Sequence, residues 1–573
     1  MYIIPSPKKI TELGGVIKNT GVNPTVICDD ERLHKAATKL PTSQNGAPLL
    51  ISSSGSEGEG YVLEIKDGKI TIEGQSAQGA FYGIQTLRQI LVEEEIPCVL
   101  IEDEPDFKVR SLYHDITRGR IPTVETLKKH IDMLALYKTN EFQLYSEHVI
   151  DFDEFKEVTK RTGCITKDEI RELDDYCYEN FIDFVPSFAT FGHLYEILQT
   201  EKYKHLCVLK DYEPIESFWY ERVNHHTLDP LNPESFEFIK GLIDQYIPLF
   251  RSNKFNICCD ETFDLSQGKC EGMDTGKLYV DFVGKIVDYL HSKGKTVLMW
   301  EDVAVKHPEH FDNFNKDVIF MPGCYEINVA KSVAPAVDLI TSHGHKYYLT
   351  STTRSWCRLI EDIQINEPNI CNMVEASFAD KAEGLLNTIW GDWGHPCSID
   401  MQTYGIVLGT EKSWSRFAKI DEEYYDKIDR VIYGKKGAVE LLKRVSSWAS
   451  DMFYWQLGKF YSNRVYDGKL QVDFPTDEQI INARDNCLIE LEKLKDETWG
   501  NDEYRKELMV SLEGIAVTAE MFAKAKKMPL ERKTNTVKWL EKYRAKWLEK
   551  NKLGELYEIE KMFMYLDAMP QEC

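Results

Sequence analysis

The feature that most limits the fold is a change of periodicity after residue 103. From there on, short apolar runs that read as strands alternate with longer stretches at helical spacing. Strands are expected at 111–117, 141–148, 181–188, 254–259, 296–301, 318–325, 347–352 and 384–390, with helices such as 123–138, 166–180, 234–250 and 276–292 between them. Eight strand–helix repeats over about 300 residues fit a TIM barrel. A doubly wound open sheet is the alternative, but no Gly-rich phosphate turn follows the first strand. Ahead of the repeats, Asp67-Gly68 between two strand-like runs is a hairpin signal, a helix is expected over 77–91, and 2–4 and 25–28 read as further strands. After about residue 415 the chain turns helical and charged, with apolar stripes at Ile480, Ile481, Cys487, Leu488, Leu491 and Leu494 and at Trp539, Leu540, Tyr543 and Trp547. The expected architecture is α/β: a (β/α)8 barrel over 103–415, a small N-terminal α+β domain over 1–102 and a C-terminal helical domain over 416–573. The stripes should pack internally, with a homodimer contact as the alternative.

In such a barrel the chemistry gathers at the C-terminal ends of the strands. The fourth expected strand runs Phe255, Ile257, Cys258, Cys259 and then meets Asp260 and Glu261. Two unpaired carboxylates are costly in a core, and neighbours on a regular strand face opposite ways. Both acids serve one cavity only if the strand ends there. One carboxyl beside another is pushed up, so one can stay protonated as a general acid while its neighbour stays ionised. The other strand ends add Asp115 and Arg118; Tyr145, Glu147 and His148; His193; Trp300, Glu301 and Asp302; Tyr325 and Glu326; Tyr347, Tyr348 and Trp356; and Trp390, Asp392, Trp393 and His395. Trp and Tyr at one rim suit a sugar, whose C–H faces stack on rings while hydroxyls meet the polar handles.

Composition narrows the partners. A formal net charge of −25 argues against nucleic acid. No apolar run approaches a membrane span, no secretory signal is evident at MYIIPSPKKI, and the 14 cysteines are scattered, as in a reduced cytoplasmic protein. No HxH or HExxH spacing joins His148, His193, Asp260 and Glu261 as metal ligands, and no cofactor is implied.

These stretches resemble glycoside hydrolase family 20, the β-N-acetylhexosaminidases. Residues 79–89 (GAFYGIQTLRQ) are similar to the helix closing that family's N-terminal domain. Residues 109–118 (VRSLYHDITR) resemble its RGxxxDxxR strand, with Ser111 for the usual Gly; Phe191-Gly192-His193 resembles its PGH, Asp260-Glu261 its DE, and Trp300-Glu301-Asp302 its WDE with the acids swapped. Cys258-Cys259 stand where the family usually has glycines, and the run from Trp390 to His395 looks like that of a divergent intracellular subgroup.

The resemblance implies an exo-acting, retaining enzyme in which the 2-acetamido oxygen of a terminal GlcNAc or GalNAc attacks the anomeric carbon to form an oxazolinium ion. Glu261 would be the acid and then the base, and Asp260 would orient the acetamide. Arg118 would bind ring hydroxyls, with Glu147 and Asp392 as further candidates at the 4-hydroxyl. Trp300, Tyr325 and Trp390 would wall the acetamide pocket, Tyr348 (in competition with Tyr347) would hold the acetamide oxygen, Trp356 would stack at the rim, and His193 would relay to Glu261. The partner is an oligosaccharide or glycan. The rivals are a retaining glycosidase with Glu301 or Glu326 as nucleophile, a metal-dependent hydrolase using His148, His193, Asp260 and Glu261, and a catalytically silent sugar-binding protein.

Overall fold

The computed structural model describes residues 1–210, 226–466 and 468–570. Six strands open the chain: β1 (Lys9–Lys18), β2 (Val22–Ile27), β3 (Ala47–Ser53), β4 (Tyr61–Lys66), β5 (Lys69–Gly74) and β6 (Glu95–Asp103). They form one mixed sheet in the order β1-β6-β4-β5-β3-β2. Asp67 and Gly68 turn β4 into β5 with φ of 50° and 75°, the left-handed pair that a two-residue hairpin needs. The helix Ala77–Ile90 covers one face of the sheet, and Ser76 caps it by accepting from the Gly79 N–H. The expected strand at 2–4 does not form. Ile3 and Ile4 are buried as loop, and Ile4 exchanges two hydrogen bonds with the Gln89 side chain instead of a neighbouring strand.

Eight parallel strands follow: β7 (Val109–Asp115), β8 (Glu141–Tyr145), β9 (Asp183–Val185), β10 (Lys254–Asn256), β11 (Thr296–Met299), β12 (Ile319–Phe320), β13 (Lys346–Thr352) and β14 (Gly384–Ile389). They pair in succession, β14 pairs with β7, and a parallel bridge from Ser187 to Asn256 joins β9 to β10, so the sheet closes as a barrel. Each expected strand is present; most are shorter, whereas Val109–Asp115 begins two residues earlier than expected and Lys346–Thr352 one residue earlier. Intervening helices include Val124–Leu136, Lys167–Glu179, Pro233–Tyr246 and Thr275–Ser292. Thr166 and Glu169 form the expected capping box.

The barrel interior is filled by Val109, Tyr113, Tyr145, Cys258, Leu298, Trp300, Met321, Tyr348, Leu386 and Trp390. Beyond the helix Thr403–Trp414 the chain is helical. Its longest elements are Asp477–Lys495, Asp502–Ala525 and Thr536–Lys550, and a last helix, Leu556–Ala568, lies where the sequence pattern was too loose to read. Ile480, Cys487, Leu494, Trp539, Leu540, Tyr543 and Trp547 are buried in one core with Leu359, Trp393 and Met401 of the barrel side. The stripes therefore pack internally, with Ile481 turned outward at 38% exposure.

Candidate functional site

The β10 ladder stops at Asn256, and the backbone reason lies just beyond. Cys258, Cys259 and Glu261 have φ of 59°, 64° and 49°. Left-handed backbone ends strand pairing and is unfavourable for residues with a Cβ. Further left-handed side-chain-bearing residues crowd the same rim: His193, Arg354, Cys357, Asp392 and His395. Strain gathered in this way marks functional sites. The turn brings Asp260 and Glu261 into one cavity of about 330 Å³, lined by Arg118, His193, Asp260, Glu261, Trp300, Glu301, Asp302, Gly323, Tyr325, Trp356, Trp390 and Asp392.

His193 joins the acids. Its Nε2 is 3.1 Å from Asp260 and 3.4 Å from Glu261, and its Nδ1 is 3.6 Å from Glu147. Burial would push the imidazole down, but Asp260 and the hydrogen-bonding carboxylates together raise it well above its usual value. Arg118 is clamped by Asp115 (Nε to Oδ2, 2.7 Å) and Asp392 (2.7 Å), with Glu147 at 3.8 Å. Its guanidinium lies about 5 Å from the Tyr145 and Trp390 ring centres. Burial opposes its charge, yet these carboxylates hold it more firmly protonated than usual. Burial pushes Asp392 up to about 6 despite Arg118.

The far wall carries two acids read at a strand end, Glu301, expected only as the nucleophile of the rival glycosidase, and Asp302, expected in no site role. Burial and neighbouring carboxylates push Glu301 up to about 8 and Asp302 up to about 7. Glu301 accepts from the Gly323 N–H and Asp302 from the Glu261 N–H, both at 3.2 Å. Asp115 is a second omission; the Arg118–Asp115 spacing of three residues was its visible signal. The Tyr325 hydroxyl accepts from Trp390 Nε1 at 2.9 Å. Trp356 packs edge-on to Tyr325, with Arg354 against its ring. Among the buried polar atoms of the lining, Asp260 Oδ1, Trp300 Nε1 and Asp302 Oδ1 have no hydrogen-bond partner among the described residues.

Nine of the eleven expected site residues line the cavity. Glu147 stands behind it, accepting from the Tyr145 hydroxyl at 3.0 Å and bridging Arg118 and His193. Tyr348 is a correction. It pairs with Gly384 at the start of β14, and its hydroxyl faces Glu141 at 3.5 Å, at the N-terminal end of the barrel away from the acids. Tyr347 does not replace it, because its hydroxyl donates to the Phe378 carbonyl. His193, Asp260 and Glu261 offer ligand atoms within 4.8 Å of one another. Among the described residues this set is one imidazole and two carboxylates, one donor fewer than a four-donor structural zinc site. His148 lies outside the trio, next to Thr117 and Glu147. Among the described residues no helix is long and apolar enough to cross a membrane.

Sequence comparison agrees with this geometry. The model described as glycosyl hydrolase family 20, catalytic domain, matches residues 107–414, and that described as glycosyl hydrolase family 20, domain 2, matches residues 1–104. A beta-hexosaminidase of Porphyromonas gingivalis is 29% identical over 283 residues, 43% of this chain and 36% of that protein. One of Vibrio furnissii is 24% identical over 403 residues, 61% of this chain and 64% of that protein. Both matches therefore span less than two thirds of the relative's length. Among solved structures, Flavobacterium johnsoniae chitobiase shares the fold with a TM-score of 0.60 at 18% identity, covering 98% of this chain and 99% of that one. The β-N-acetylhexosaminidase from Bacteroides fragilis does so with a TM-score of 0.60 at 19% identity, covering 74% and 94%. With its catalytic-domain match alone covering more than half of its length, the chain belongs to glycosyl hydrolase family 20.

Proposed function

We propose that this chain is an exo-acting, retaining β-N-acetylhexosaminidase that removes a terminal GlcNAc or GalNAc with the help of the substrate's own acetamide. The observation that carries the reading is that an unpartnered acceptor and an unpartnered donor lie in the lining of one cavity. Asp260 Oδ1 is a buried acceptor and Trp300 Nε1 a buried donor. Leaving either unmatched costs free energy that a ligand can recover. A secondary amide presents one N–H and one C=O, and so complements both. The cavity volume lies at the small end of the range for ligand pockets, which suits a single terminal sugar.

In this account Asp260 accepts the acetamide N–H and steadies the positive charge that develops as the acetamide oxygen attacks C1. Glu261 gives its proton to the leaving oxygen, then takes one from the water that opens the ring intermediate. His193, held charged between Glu147 and Asp260, orients both acids. Trp300, Tyr325 and Trp390 hold the acetamide close to C1. Tyr325 takes the role first assigned to Tyr348: its hydroxyl already accepts from Trp390, which leaves its own proton to donate to the acetamide oxygen. Arg118 and Asp392 meet the ring hydroxyls, and Trp356 offers a face at the rim. A carboxylate nucleophile is less well supported. Glu301 is held neutral near pH 7, and Glu326 is 67% exposed and paired with Arg354.

The test is hydrolysis of aryl N-acetyl-β-glucosaminide, aryl N-acetyl-β-galactosaminide and aryl β-glucoside by the purified chain. The reading predicts turnover of at least one N-acetyl substrate and a kcat/KM lower by about 10²-fold or more for the glucoside. Equal rates would point to a carboxylate nucleophile, and tight binding without turnover to a silent sugar-binding protein.

A further inference from the structure

Three glycines from distant parts of the chain meet beside the cavity. Gly119 follows Arg118 in the loop after β7. Gly394 lies two residues beyond Asp392 in the loop after β14. Gly554 lies in the turn between the helices Thr536–Lys550 and Leu556–Ala568. A Cβ on Gly119 would sit 2.2 Å from the Gly394 main chain, and one on Gly554 would sit 2.0 Å from the Gly119 carbonyl oxygen. Neither approach is open to a residue with a side chain, and φ of 134° at Gly119 and 56° at Gly554 favours glycine again.

Hydrogen bonds hold the contact. The Glu555 N–H donates to the Gly119 carbonyl at 2.9 Å, the Lys552 N–H to Ile121 at 2.8 Å, and the Thr123 N–H to Lys550 at 3.0 Å. Arg120 ties the same two loops together. It donates to the carbonyls of His395 (2.8 Å) and Pro396 (3.1 Å), and its guanidinium lies 4.1 Å from the Trp547 ring centre. The Tyr543 hydroxyl donates to the Pro396 carbonyl at 2.9 Å. The 2.7 Å pair of Arg118 and Asp392 spans the gap that these contacts set.

We infer that residues 543–555 of the C-terminal helical region are a positioning element of the sugar site, fixing the separation of the loops that carry Arg118 and Asp392 and thereby the reading of the ring hydroxyls. This rests on the hexosaminidase reading above. The C-terminal region is then part of the specificity apparatus, although none of its described residues lines the cavity.

The experiment is steady-state kinetics of Gly554→Ala on the paired gluco- and galacto-configured aryl N-acetyl substrates. The added methyl displaces the Gly119 main chain next to Arg118. KM should rise about tenfold and the gluco/galacto ratio should shift by about threefold or more, while kcat on the activated aryl substrate stays within about threefold. A folded Gly554→Ala with wild-type KM and ratio overturns the inference. Should that variant not fold, Tyr543→Phe removes only the hydroxyl, which donates to the Pro396 carbonyl and accepts from Arg120 at 3.1 Å. It should raise KM about threefold and shift the ratio in the same direction, and an unchanged KM and ratio again overturn the inference. Wild-type protein that hydrolyses neither sugar defeats the functional reading instead. The positioning claim is then read from calorimetric binding of free N-acetylglucosamine and N-acetylgalactosamine, with the same expected weakening and the same contrary result.

Discussion

Glu261 sits on a left-handed backbone in a turn where two cysteines do the same. At the scale of single residues, function and strain are inseparable here. Each such residue costs about 1–2 kcal/mol relative to an ordinary conformation. Cys259 is buried and offsets part of that cost by packing. Cys259→Gly exchanges the strain for the lost side chain and should change stability by less than about 1 kcal/mol. Cys259→Val, β-branched at φ 64°, should cost about 3 kcal/mol or more. Urea unfolding of the two variants checks this, and a glycine as damaging as the valine would contradict it. Glu261→Gln should lower kcat/KM about 10³-fold on a disaccharide with a poor leaving group, and much less on an aryl substrate that needs little protonation. Equal losses on both would remove Glu261 from the acid role. Asp260, Glu261, Trp300 and Trp390 were legible because each stands at the end of an apolar run. Tyr348 misled because its height depends on register. It is the third residue of a seven-residue strand, level with the first residue of β14, and nothing local in the sequence marks that.

Elements were easiest to read where their burial is one-sided. The barrel helices show a clear apolar stripe, and Thr166 with Glu169 announces a helix start. The Glu169 N–H donates to Thr166 Oγ1 at 3.1 Å, and the Thr166 N–H donates to Glu169 at 2.7 Å. Thr166→Ala should cost about 1 kcal/mol in urea unfolding, and no change would show that the cap carries nothing. Strands were over-extended because the apolar run continues after the ladder has ended. β10 pairs for three residues, whereas Ile257, Cys258 and Cys259 remain buried beneath the cavity without strand geometry. The edge strand β1 was missed for the opposite reason. Nearly all of its residues are exposed, so no alternation appears, and its ladder with β6 is broken at Glu12/Val16. The last helix, Leu556–Ala568, buries Leu556, Ile559, Met562, Phe563 and Leu566, and it packs on the preceding helices Thr536–Lys550 and Asp502–Ala525, which a local pattern does not show.

For the molecule as a whole, buried titratable groups set opposing limits on stability. Burial holds His114, His130 and His395 down to about 3, Glu301 and Glu361 up to about 8, and Asp302 up to about 7. The imidazoles stay neutral in the fold but gain a proton in the unfolded chain below about 6.5, so their contribution is lost as pH falls from there. The carboxyls stay protonated in the fold but ionise in the unfolded chain above about 4, so theirs is lost as pH rises toward 8. Above about 6.5 the carboxyls and the raised His193 act in the same direction, each by at most about 1.4 kcal/mol per pH unit. Thermal scans should therefore show Tm falling between pH 6.5 and 8, and a Tm that climbs across that interval would contradict these burials. The same folded barrel is proposed to let the substrate supply its own nucleophile, and one series tests that most directly. Aryl glucosaminides whose N-acetyl group carries zero, one, two or three fluorines differ mainly in how well the carbonyl oxygen can attack. The account predicts that kcat/KM falls steeply with each fluorine, whereas a rate indifferent to fluorination would mean that an atom of the protein makes the attack.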